Sequence, residues 1–157
     1  MLGLMDLTLF DEMSDALRGL LPPTLGPAHQ RVRRYGLKLW FGSEQPSPEH
    51  YEAQVISPHA VAGASVVALE VGFHAEHRDV AENERVVAKL LAAEKRWRTR
   101  LGSEAIAGPF LGRADKWRRL SETWADPDLS AADLAVEIAV RLTDYVVALE
   151  PARRRRQ

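Results

Sequence analysis

Hydrophobic and polar residues change period several times along this chain, and each change marks an element. The first period is helical. Phe10, Met13, Leu17 and Leu20 or Leu21 recur at three- and four-residue spacing, behind Thr8 as N-cap and with Asp11 and Glu12 in the first turn. A helix is therefore predicted over about Leu9 to Leu20, ended by Pro22 and Pro23, and Pro22 to His29 read as a connector. From Arg33 to Phe41 the period becomes two: Tyr35, Leu37, Leu39 and Phe41 share one face, and Arg34, Gly36, Lys38 and Trp40 the other. After a turn at Gly42 to Glu49, His50 to Ile56 alternates again, with Tyr51, Ala53 and Val55 opposed to His50, Glu52 and Gln54. Ser57 to Ser65 connects to a third strand, in which Val67, Leu69, Val71 and Phe73 oppose Ala68, Glu70, Gly72 and His74.

The period then returns to helical. Asp79 and Glu82 form a capping-box pattern, and Val87, Leu90, Leu91, Glu94, Trp97 and Leu101 trace the inner stripe of one long helix that Gly102 closes. Glu104 to Arg113 and Lys116 to Trp124 are predicted as the arms of a hairpin. The last helix starts at Ser130 and Asp133, carries Leu134, Ile138, Leu142, Tyr145 and Leu149 on one face, and stops at Pro151. The order is helix, three-stranded antiparallel meander, long helix, hairpin, C-terminal helix. Strands and helices do not alternate one for one, so the expected class is α+β, with the helices packed on one face of the sheet. Residues 1–151 are expected to form a single domain, and residues 152–157 a basic, disordered tail.

If the helices cover one sheet face, strand parity gathers Lys38, Trp40, His50, Glu52, Gln54, Glu70 and His74 on the other. Trp40 is costly to leave in water, and Gly72 leaves room beside Glu70 and His74. Both point to a groove or partner surface rather than to an evenly solvated sheet.

Composition narrows the class of protein. An apolar fraction of 46% and a charged fraction of 27% belong to a globular chain. With no cysteine, there is neither a disulfide framework nor a thiolate ligand or nucleophile, and the N-terminus, with Asp6, Asp11 and Glu12, lacks the basic start of a signal peptide, so a cytoplasmic location is expected. No apolar run approaches the ~20 residues needed to span a bilayer, so no membrane partner is expected. The net charge of −1 conceals an asymmetry: outside Arg153 to Arg156, 17 basic residues face 22 acidic ones. That acidic body disfavours nucleic-acid binding, whether by the arginine tail or by the hairpin cluster Arg113, Lys116, Trp117, Arg118, Arg119 and Trp124.

Spacing limits the candidate chemistry. His74 and His77, with Glu70, Glu76 or Asp79, are metal-ligand types, yet on a continuing strand the two rings point to opposite faces. Glu52-Ala53-Gln54 resembles the Glu-x-Gln variant of the metal-binding motif in restriction-nuclease-like enzymes, a resemblance of three residues. It implies a partner aspartate from the preceding hairpin, where only Glu44 and Glu49 stand. Neither a Gly-x-Ser-x-Gly elbow nor a phosphate-cradling glycine loop occurs. No metal or cofactor is therefore expected. The reading that follows is a non-catalytic binding module that uses the polar sheet face toward a protein or small-molecule ligand, or toward a second copy as a homodimer. The runner-up is a divalent-metal-assisted, nuclease-like hydrolase using Glu52, Gln54, Glu70 and His74.

Overall fold

The computed structural model describes residues 8–112 and 115–155. Six strands form one open antiparallel sheet: β1 (Ala28–Arg33), β2 (Gly36–Phe41), β3 (Glu49–Ile56), β4 (Ala68–Ala75), β5 (Ile106–Pro109) and β6 (Arg118–Ala125), in the order β1-β2-β3-β4-β6-β5. Four helices, α1 (Leu9–Leu20), α2 (Val80–Leu91), α3 (Glu94–Leu101) and α4 (Leu134–Arg154), pack on the sheet. The α+β class, the meander, the hairpin and the helical layer match the pattern of periods. No helix among the described residues is long and apolar enough to cross a membrane.

The core forms where the apolar face of each strand meets the apolar stripe of a helix. Leu37, Leu39, Tyr51, Ala53, Leu69, Val71, Phe73 and Leu120 pack against Phe10, Met13, Leu17, Leu90, Trp97, Ile138, Leu142, Tyr145 and Leu149. Register fixes the other face. His50 stands opposite His74, Glu52 opposite Gly72, Gln54 opposite Glu70, and Lys38 opposite Glu52. Pleat parity therefore brings the seven predicted residues to one side of the sheet.

Four expectations need correction. The supposed connector ends in a strand, β1, which pairs with β2 across the two-residue turn Arg34–Tyr35; as an edge strand with no fully buried residue, it has no apolar alternation to betray it. The long helix is two: it breaks at Ala92 and Ala93, which turns Leu91 outward and leaves Glu94 to pair with Arg98 instead of entering the core. Gly72 does not open a space. Its φ is +156°, and a Cβ there would lie 2.5 Å from the Cα and Cβ of Ser121, so the glycine lets β4 and β6 approach. Finally, α4 continues through Pro151 to Arg154, because the fully buried Glu150 draws Arg153 and Arg154 onto its carboxylate (2.5–2.9 Å) while the Tyr51 hydroxyl donates to it at 2.7 Å. Asp6, Arg113 and Arg156 lie outside the described residues.

Candidate metal centre

β3 and β4 are the two central strands of the sheet, and each bears a His-x-Glu triplet at the same end: His50-Tyr51-Glu52 within β3, and His74-Ala75-Glu76, whose glutamate follows the last residue of β4. In each triplet the two outer residues share a face and the middle one joins the core. Because the strands are antiparallel and His50 opposes His74, the two glutamates fall on opposite sides of the histidine pair. All four side chains converge. His50 Nε2 lies 3.1 Å from Glu52 Oε1 and 3.3 Å from Glu76 Oε2; His74 Nδ1 lies 3.2 Å from each of the same two oxygens. The four atoms all fall within 4.8 Å of one another, with His50, Glu52 and His74 buried and Glu76 partly so.

These separations carry chemical information. Bonds of about 2.0–2.1 Å in a tetrahedron place neighbouring donors about 3.3–3.4 Å apart, close to the four nitrogen–oxygen separations of 3.1–3.3 Å. The outer nitrogens matter as much. His50 Nδ1 donates to the carbonyl of Ser47 at 2.9 Å, so the neutral ring turns the lone pair of Nε2 toward the cluster. His74 Nε2 sits 3.0 Å from Glu70 Oε2, though without a well-aimed hydrogen bond. A single N–H on each inner nitrogen cannot aim at two carboxylate oxygens at once. A single cation at the centre would be within reach of all four donor atoms.

A second layer holds this arrangement. Glu70, fully buried, accepts from Gln54 Nε2 at 2.9 Å and from Ser121 Oγ at 2.7 Å, and Arg119 in turn donates to Ser121 Oγ at 2.9 Å. The edge of Phe110 closes on His74, with ring centres 4.5 Å apart. Without a cation, the cluster settles its charges by protonation. Burial opposes a charge on either imidazole, but the surrounding carboxylates outweigh it and raise the pKa of His50 and, far more, of His74. Burial likewise opposes ionising the acids, yet the two histidines hold Glu52 down to about 2 and push Glu76 lower still.

Of the seven residues predicted from sequence, His50, Glu52 and His74 meet at the centre. Gln54 and Glu70 form the layer behind, and Lys38 reaches within 3.8 Å of Glu76 Oε1. Trp40 belongs elsewhere: it is buried, stacked 5.8 Å from His29, and donates to the carbonyl of Ser43, so it offers no exposed aromatic anchor. Gln54 faces Glu70, not the shared centre that the nuclease-like motif implies. Glu76 is the member the polar face omitted, one residue past the end of β4; its signal was the second His-x-Glu. The hairpin cluster does not form one surface, since Arg118 pairs with Glu84, Arg119 turns to Ser121, and Trp124 donates to Glu122. Comparison with protein-family models, with curated proteins and with solved structures gives no match, so the chemistry of the site rests on its own geometry.

Proposed function

We propose that this protein binds one divalent transition-metal ion through His50, Glu52, His74 and Glu76, and that the ion acts as a Lewis acid on a bound ligand. The observation that carries the reading is the convergence of two imidazole nitrogens and two carboxylate oxygens at coordination spacing, on the two central strands. Nitrogen and oxygen donors together suit zinc, manganese or iron rather than calcium or magnesium, which prefer all-oxygen sites. Two carboxylates balance the charge of the ion, and Glu70 beside His74 resembles the outer carboxylate that orients ligand histidines. This modifies the hydrolase reading: Glu52 and His74 become ligands, while Gln54 and Glu70 support them.

Thermal unfolding with and without zinc or manganese tests it. At an ion concentration a hundred times the Kd, binding adds about 2.7 kcal/mol of stability. The wild-type protein is expected to show that gain, and His50→Ala and His74→Ala to lose it. No gain in the wild type, or equal gains in the variants, would sink the proposal.

One observation favours a second reading. Four protein donors can fill a tetrahedron and leave no place for water, as in a purely structural site. Proton relaxivity of water in the manganese-loaded protein separates the two: an accessible ion enhances relaxation, and a closed one leaves it at the outer-sphere level.

A further inference from the structure

We propose that the cleft beside Glu76 seats a small oxyanion, a phosphate or carboxylate group, within reach of the ion; this rests on the metal-binding reading above. The cleft encloses about 480 Å³ and is lined by Glu76, Arg78, Lys116 and Trp117, so a ligand carboxylate of the metal centre is part of its wall. Its volume suits a small molecule.

Its two cations are not neutralised by ion pairing among the described residues. Arg98, Arg118, Arg141, Arg153 and Arg154 each pair with a carboxylate. Arg78 and Lys116 are exposed, and among the described residues no acidic side chain pairs with either. With the charge of the ion balanced by Glu52 and Glu76, the two unpaired cations leave this side of an otherwise acidic body locally positive, which favours an anion. Guanidinium and ammonium groups are also the usual partners of phosphate and carboxylate oxygens.

The walls are fixed relative to each other. Asn83, fully buried, donates to the carbonyls of His77 (2.9 Å) and Lys116 (3.0 Å) and accepts from the His77 N–H (2.7 Å). It ties the segment carrying Glu76 and Arg78 to the loop carrying Lys116 and Trp117. Trp117 packs edge-on against Phe110, which in turn packs on His74, so a chain of ring contacts links the cleft wall to the metal centre. A second opening of about 290 Å³, beside Glu52 and Gln54, is lined by Arg33, Arg34 and Tyr35. It is smaller, and Arg34 covers the ring of Tyr35 there.

The test uses the full chain in excess over Mn²⁺, with inorganic phosphate as the probe. Electron paramagnetic resonance first reads uptake of the ion, and the ³¹P line width then reads phosphate close to it. Wild-type protein is expected to take up Mn²⁺ and to broaden the line. Arg78→Ala with Lys116→Ala should leave uptake unchanged and reduce the broadening about tenfold, the scale expected for losing charge-assisted contacts; Arg33→Ala with Arg34→Ala should change neither. Normal uptake without broadening in the wild type overturns the cleft proposal alone. So does broadening that survives the Arg78/Lys116 pair or disappears with the Arg33/Arg34 pair. Absence of Mn²⁺ uptake overturns the metal-binding reading and this proposal together.

Discussion

Gly72 shows how much one missing side chain decides. It sits opposite Glu52 on one strand and opposite Ser121 on the other, and the approach of β4 to β6 that places Ser121 Oγ on Glu70 leaves no volume for a Cβ. Gly72→Ala is therefore expected to cost about 1–3 kcal/mol, through overpacking and a backbone angle that alanine resists, read as a lower urea midpoint. A midpoint unchanged within error would contradict this close packing. At the same scale, the site was partly legible in the sequence. Alternation alone brought His50, Glu52 and His74 to one face, because a period of two admits only one partition of side chains. Glu76 is a candidate ligand by residue type but falls outside the alternating face, because it lies past the last paired residue of β4, and the spacing from His74 to His77 is not the one that the site uses. The ligands repeat at His-x-Glu across two strands, and only register reveals that the repeats face each other.

Among the elements, the break between α2 and α3 is the departure with a clear physical cause. Trp97, almost fully buried, donates from Nε1 to the carbonyl of Leu90 at 2.8 Å, and the same carbonyl accepts the N–H of Ala93 at 3.0 Å. The indole thus satisfies a helix end that an uninterrupted helix would not expose. Trp97→Phe removes that donor and part of the ring, and should lower stability by about 1–3 kcal/mol in denaturant unfolding; a cost near zero would mean the indole plays no part in the break. Nothing in a stripe of apolar spacings reports such a contact, since Trp97 falls on the inner face either way. β1 was illegible for the opposite reason. An edge strand that is half exposed and nowhere fully buried needs no alternation, and its pairing follows from β2 lying within reach across a short turn.

Over the whole molecule, formal charge misled. Arg153 and Arg154 look like the start of a solvated tail, yet they are the counterions of a carboxylate buried between α4 and β3. Burial opposes ionising Glu150, but Arg153, Tyr51 and Arg154 together hold its pKa below the ordinary 4.5. A depressed folded pKa means that its contribution is complete above the unfolded value and is lost as pH falls toward the folded one. Glu150→Gln should therefore cost about 1–3 kcal/mol at neutral pH, with the gap from wild type closing below about pH 4.5. Urea midpoints that stay equally separated from pH 7 to pH 3 would contradict the ionised assignment.

The central strands, their register and the layer behind them all serve one centre, and X-ray absorption at the metal edge of zinc-reconstituted protein addresses that centre most directly. The predicted spectrum shows one ion per chain with four or five nitrogen and oxygen neighbours at about 2.0–2.1 Å and the outer-shell signature of two imidazoles. An ion surrounded by oxygen alone, or protein that retains no zinc after dialysis, would contradict a site built from His50, Glu52, His74 and Glu76.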